Sequence, residues 1–392
     1  MRISSYIIWA TLSGWIYSFS VFGQNAPEDQ PLSSAQPLST QLLITQPFQL
    51  EFAPLGSVNI SAVVSGIGMA QTNAAPNDYH AYADLANAQL VLQKETGLIQ
   101  FYLQGGYYST PSLGTTYQRA SLQTKESFGV LPLASVSVVP DTHWRLSAGK
   151  INSFGGYENT FTYQNSNIDR GLLWNQTSNV SKGFEVSYRE GALSSAITLN
   201  DGFYSNQLSW MGASLGYQLN ARSDASVVWT GAIKANSTNT FITPLLQNNS
   251  QIFNAIYSYR ADHWSVTPYL QYTYVPANPS IGILSSAQTM GAAVLTSYQV
   301  TRSATGGFTL PLRLEYIGSG NKTQVNTPNL LYGPGSAAWS ATITPTYQYQ
   351  RTFIRGELSY VQAVKTSAGQ AFGAAGNATN QARIMLEMGF LY

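Results

Sequence analysis

The sequence predicts an all-β fold, a single transmembrane antiparallel β-barrel, and three observations carry that prediction. Charged residues fill only 9% of the 392 positions, against about 25% in soluble domains, while hydrophobic residues stay at an ordinary 44%. Beyond the N-terminus no apolar run reaches the roughly 20 residues that a membrane-crossing helix needs, yet 25 Tyr, 16 Phe and 8 Trp are too many aromatics for a disordered chain. From Gly56 onward the hydrophobic period is two, punctuated by Gly, Pro, Asn and Asp. A wall that meets lipid outside and water inside needs apolar and neutral polar residues in near-equal shares, and the mean hydropathy of −0.08 agrees.

Taken in order, residues 1–23 read as a signal peptide. Arg2 supplies the positive start, residues 3–22 are apolar apart from small hydroxyl side chains, and Val21-Phe22-Gly23 offers a cleavage site before Gln24. An uncleaved anchor helix is the alternative. Residues 24–55, opening on a stretch rich in Pro, Ser and Gln, read as a flexible periplasmic lead-in, and residues 56–392 as the barrel.

The first clear hairpin sets Ala86, Ala88, Leu90 and Leu92 against Asn87, Gln89 and Gln93, turns at Glu95-Thr96-Gly97, and returns with Ile99, Phe101 and Leu103 against Gln100, Tyr102 and Gln104. A soluble sandwich would alternate in the same way. The rhythm of the connections separates the two. Short turns fall at 95–97, 140–143, 190–193, 221–224, 260–263, 302–306 and 350–352. Longer polar stretches fall near 71–82, 109–128, 153–181, 201–207, 236–249, 276–288, 319–335 and 366–380. Interleaved, they give about 16 strands with both termini on the short-turn side, the asymmetry of outer-membrane barrels with periplasmic turns and extracellular loops. Trp144, Tyr257, Tyr259, Trp264, Phe308, Tyr349 and Phe353 collect next to the short turns, as an interfacial girdle would. The last strand puts Ala382, Ile384, Leu386, Met388, Phe390 and Tyr392 on one face and Arg383 and Glu387 on the other.

Alternation also places charge. Arg313 and Glu315, Arg355 and Glu357, and Arg383 and Glu387 fall on the inner face, because an Arg facing lipid at mid-membrane costs about 2–4 kcal/mol. Arg145 and Arg189 fall on the polar faces of their strands. Two roles are open to these groups: a salt-bridged network that stiffens the wall, or a transverse field across a pore. Residues 149–183 form the longest strand-poor insert and add Glu158, Asp169, Arg170 and Lys182. Their many Asn, Gln, Ser and Thr suit a loop folded into the lumen, where backbone polar groups need partners. A surface loop is the alternative, but it would expose Leu172-Leu173-Trp174.

Other functions read poorly. A net charge of +1, which falls to zero without Arg2, supports no nucleic-acid partner, and no cysteine is present. His80, His143 and His263 fall in one long loop and two short turns, so they cannot converge on a metal or a serine, and no catalytic, metal or cofactor site is expected.

Several motifs stand out: Ala88-Gln89-Leu90 with Lys94 and Gly97, Gly105-Gly106-Tyr107-Tyr108-Ser109, Gly149-Lys150, Gly156-Tyr157-Glu158, Gln164-Asn165-Ser166-Asn167-Ile168-Asp169-Arg170-Gly171-Leu172-Leu173-Trp174 and Asn200-Asp201-Gly202-Phe203-Tyr204-Ser205. Through them the chain resembles the OmpL-like putative β-barrel porin family of bacterial outer membranes. Tyr392 stands where a terminal Phe is usual, and the aromatic character remains. The resemblance implies a porin and brings no catalytic residues with it.

The expected protein is therefore a passive outer-membrane diffusion channel for small hydrophilic solutes, with the insert and the inner charges as its constriction. Its partners would be outer-membrane lipid and lipopolysaccharide, its solutes and, as one option, further copies in a homotrimer. A channel selective for a sugar or small anion, using lumen aromatics such as Tyr102 and Tyr269, is the nearest rival. A closed barrel serving as anchor or adhesin is the other.

Overall fold

A computed structural model describes residues 42, 47–53, 56–303, 305–320 and 328–392. Strand segments form one antiparallel sheet: β1 (Phe48–Phe52), β2 (Gly56–Gln71), β3 (Ala81–Lys94), β4 (Ile99–Tyr108), β5 (Leu133–Val138) and β6 (Trp144–Asn152). After a long insert come β7 (Val180–Glu190), β8 (Leu193–Asn200), β9 (Trp210–Asn220), β10 (Ser223–Ala232), β11 (Gln251–Arg260) and β12 (Trp264–Val275). The series ends with β13 (Ala287–Ser303), β14 (Gly306–Ser319), β15 (Ala337–Ile343), β16 (Thr346–Tyr349), β17 (Thr352–Val364) and β18 (Asn380–Leu391).

Each strand from β2 onward pairs with the next, except that β15 and β16 both pair with β14 and β17, and β18 returns to β2 from Arg383 opposite Gln71 to Leu391 opposite Val63, which closes the wall. Closure removes the free edges that lipid could not hydrate. Tyr392 and Ala62 exchange backbone hydrogen bonds of 2.9 Å, so the C-terminal residue is itself part of the seam. β15 and β16 are halves of a single wall strand, interrupted at Thr344-Pro345 because proline has no N–H for the ladder. Counted so, and with β1 set aside, the described residues form a closed barrel of 16 strands.

Every short turn expected from the sequence joins two neighbouring strands, and every long connection lies at the other end. Local chemistry shapes the turns. Asp141 Oδ1 accepts the backbone N–H groups of His143 (2.8 Å) and Trp144 (2.9 Å), an Asx turn that starts β6. Gly191 adopts φ +52°, which a side chain would resist.

Period-two alternation sorts the faces. Outward go Leu146, Phe184, Ile197, Leu215, Leu270, Met290, Leu314, Leu358 and Ile384, an apolar belt for lipid. Inward on β18 go Gln381, Arg383, Met385, Glu387 and Leu391, all buried.

Two expectations are corrected. Phe353 does not join the outer girdle: it shares a face with Arg355 and Glu357, is 4% exposed, and packs in an inner cluster with Val63 and Leu391. Its neighbour Ile354 takes the outer position. The lead-in is also shorter than residues 24–55, because Phe48–Phe52 forms β1 on residues 56–60 of β2, in the stretch of β2 that lies beyond its pairing with β18. The expected signal peptide and the first part of the lead-in lie outside the described residues.

Candidate functional site: a loop clamped inside the barrel

β6 ends at Asn152 and β7 begins at Val180, so the insert proper is 153–179 and the flanks of 149–183 are strand. Its side chains and backbone meet inward-facing residues on many strands. Near its start, Tyr157 OH accepts from Thr267 Oγ1 on β12 at 3.3 Å. Thr162 Oγ1 accepts from Asn87 Nδ2 on β3 at 2.6 Å and donates to Glu387 on β18 at 2.8 Å. Gln104 Nε2 on β4 donates to Tyr163 OH at 3.1 Å. Asn167 Nδ2 donates to Thr344 Oγ1 at 2.7 Å, and Gln176 Nε2 to the Leu330 carbonyl at 2.9 Å.

A loop packed against a wall must satisfy its peptide groups, and here acidic and basic wall side chains do so. Glu357 takes the N–H groups of Ile168 (2.5 Å) and Asp169 (3.0 Å). Glu315 takes those of Leu172 (3.0 Å) and Leu173 (3.3 Å), as well as Ser340 Oγ at 2.8 Å. Arginines supply the complement. Arg313 donates to the Asp169 carbonyl at 2.7 Å, Arg355 to the Asn165 carbonyl at 2.8 Å, and Arg383 to the Asp169 carboxylate at 2.9 and 3.1 Å. Ion pairs knit the clamp further: Arg313 with Glu158 (2.5 Å) and Glu315 (3.3 Å), and Arg355 with Glu387 (2.6 Å). Glu158 also accepts the Gly171 N–H at 2.8 Å.

Arg170 belongs to the same cluster, fully buried, with Nη1 3.4 Å from the Ile168 carbonyl and its guanidinium 5.3 Å from the centre of the Trp174 ring. Its Nε and Nη2 have no hydrogen-bond partner among the described residues.

The inner wall beneath the loop is apolar where Leu172 and Leu173 lie. They share a buried cluster with Leu113, Leu295, Ile317, Val361 and Phe372. A Cβ at Gly291 would come within 2.9 Å of Leu173 Cγ, so glycine on β13 makes room for that side chain.

The structure thus gathers Glu158, Asp169, Arg170, Arg313, Glu315, Arg355, Glu357, Arg383 and Glu387 into one network. Arg145 and Arg189 stand apart from it. Arg145 points inward from β6 and bonds Ser137 Oγ at 2.9 Å and Gln100 Oε1. Arg189, half-buried on β7, lies beside the short turn that leads to β8. Lys182 is a correction. It shares the outward parity of Phe184 and is the register partner of Lys150, so it does not line the lumen. Sequence reading missed Glu185, which is inward and buried between Ser147 and Thr198. Its alternation with Phe184 and Val186 was the available signal.

A closed, even-numbered antiparallel wall, apolar outside and polar within, is the architecture of the outer-membrane porin class. The family model described as "Putative beta-barrel porin-2, OmpL-like" matches residues 57–392, and the chain belongs to that family. Solved porins share the fold at low identity. The anion-selective porin from Comamonas acidovorans has a TM-score of 0.59 at 12% identity, covering 86% of this chain and 99% of its own. The outer membrane channel DcaP of Acinetobacter baumannii has a TM-score of 0.58 at 11% identity, covering 86% and 97%. Salmonella typhi OmpF, in complex with daunomycin, has a TM-score of 0.57 at 12% identity, covering 88% and 100%. No curated protein matches the sequence.

Proposed function

We propose that this porin is a passive diffusion channel for small hydrophilic solutes in which residues 153–179 form the constriction. The observation that carries the reading is the reach of the loop, from Thr267 on β12 to Asn87 on β3 and Arg355 on β17. The inner charges then act first as a clamp. Arg313, Arg355 and Glu387 are at most 1% exposed and already paired, so they hold the loop rather than face a solute.

Family and fold are those of channels rather than enzymes. A slide of lumen aromatics for sugars is less favoured, because Tyr269 is 3% exposed and packs beside Tyr157 of the loop. Export behind a cleaved peptide of residues 1–23 and assembly as a homotrimer belong to the same proposal. The mass of the mature chain and native mass spectrometry of the purified protein test them.

The main test is single-channel conductance of refolded protein in a planar bilayer under a salt gradient. Steady steps are expected, and removal of residues 160–173 should enlarge them. Silence from folded protein would favour the closed-barrel anchor, and an unchanged step would remove the loop from the constriction.

A further inference from the structure

Another constellation lies on the outer face of the wall, and its assignment rests on the outer-membrane reading above. Lys150 on β6 and Lys182 on β7 are direct register partners. They sit on the outward side shared with Leu146 and Phe184, which are 45% and 55% exposed, close to where both strands enter the long connections. Like charges directly opposite one another on a sheet repel. The chain nevertheless holds these two together.

The loop after β8 does the holding. Tyr204 places its ring centre 3.7 Å from Lys182 Nζ and 5.6 Å from Lys150 Nζ, an aromatic face for both cations. Tyr204 does so at φ +60°, a conformation that a bulky residue adopts at a cost. Lys150 Nζ donates to the carbonyls of Phe128 (3.2 Å) and Leu131 (2.8 Å), and Lys182 Nζ donates to Asn206 Oδ1. Asp201 lies 3.9 Å from Lys182 Nζ, but its carboxylate is engaged by the backbone N–H groups of Lys182 (2.6 Å) and Asn206 (3.0 Å). Each ammonium has three protons to give, so these contacts orient the pair and leave donors over. Gly149-Lys150 and Asn200-Asp201-Gly202-Phe203-Tyr204-Ser205, two sequence motifs outside the network of lumen charges, meet here.

Depth gives the ligand its class. A cation near a membrane interface costs far less than one at the midplane, and directly below this pair the wall is apolar, with Leu146, Phe184 and Val136 exposed. We propose that Lys150, Lys182 and Tyr204 bind the phosphate headgroup of an anionic outer-leaflet lipid whose acyl chains run down that strip. A free phosphate would use the ammoniums and leave the strip unused.

The test is native mass spectrometry of the full-length protein in detergent, titrated with diphosphorylated lipid A. Binding is expected to weaken about tenfold or more in Lys150→Gln/Lys182→Gln and at high salt, and Lys150→Arg/Lys182→Arg should restore it. Lipid A stripped of phosphate should not distinguish wild type from the Gln variant. Equal affinity of wild type and folded Gln variant for the phosphorylated lipid overturns the site. Full displacement by millimolar inorganic phosphate overturns the lipid assignment. Wild-type conductance, measured separately, tests the channel reading: lipid discrimination without conductance leaves the site standing, and conductance without discrimination removes the site alone.

Discussion

Arg313 Nη1 lies 2.5 Å from Glu158 Oε1, and the two side chains are 0% and 2% exposed. One stands on β14 and the other in the insert, so this buried ion pair is one of the contacts that tie the loop to the wall. Removing one partner of such a pair leaves an uncompensated charge, which costs about 3–5 kcal/mol. Arg313→Met should therefore lower unfolding stability by about that amount, and Arg313→Met with Glu158→Leu should recover part of it. Denaturant titration in detergent checks this; equal losses in the single and double variants would mean that the pair does not couple loop to wall.

Gly171 is packed against the Glu315 carboxyl group, where an added Cβ would come within 2.5 Å of Glu315 Cδ. Gly171→Ala should push Glu315 off the Leu172 and Leu173 N–H groups, loosen the clamp and cost about 1–3 kcal/mol as an overpacked site. Noisier or larger conductance steps are the expected readout, whereas quiet wild-type steps would show that Glu315 can move without consequence.

Leu173 and Met290 form a matched contrast across the same wall. Leu173 is fully buried against Gly291, while Met290 is 68% exposed on the outer face. Leu173→Ala should destabilise by about 2–5 kcal/mol through lost burial and a cavity, and Met290→Ala should be much milder in detergent. Similar losses from both, measured by thermal unfolding, would contradict a packed inner layer.

Reversing the charges at Arg355 and Arg383 separates clamp from field. Both guanidiniums serve the loop, Arg355 at the Asn165 carbonyl and Arg383 at the Asp169 carboxylate. Arg355→Glu with Arg383→Glu should lower the unfolding midpoint and enlarge conductance. A cation-selective shift at unchanged conductance and stability would instead restore the role of a transverse field.

Asp141 gives a pH dependence outside the membrane. Its carboxylate accepts the N–H groups of Trp144 and His143, which holds it below the usual aspartate range. Because the folded value is the lower one, the stabilisation is present above the unfolded aspartate pKa and fades as pH falls through the folded value. Asp141→Ala should differ from wild type in unfolding midpoint near neutral pH and converge with it in strong acid. A difference that persists there would assign the effect to packing.

The barrel was legible because alternation and turn chemistry are local. Asp141, Gly97 and Gly191 mark turns whatever lies across the barrel. Lys182 could have been sorted by the same rule, since counting from Phe184 places it outward; reading it as part of the insert hid its strand. The apolar inner layer left a fainter trace in Ala292-Ala293-Val294-Leu295, apolar on both faces of β13 where a water-filled lumen asks for polarity on one. Phe353 was misassigned because nearness to a turn does not reveal a side chain's face.

By itself the sequence determined an antiparallel barrel of about 16 strands, the two kinds of connection and the inward placement of Arg313, Arg355 and Arg383, because each follows from a two-residue period and the cost of charge in lipid. Only the tertiary structure decided what those arginines touch. Asp169 reaches Arg383 across 214 positions and Glu158 reaches Arg313 across 155, and contacts that distant depend on where a closed wall brings its strands, which no local pattern records.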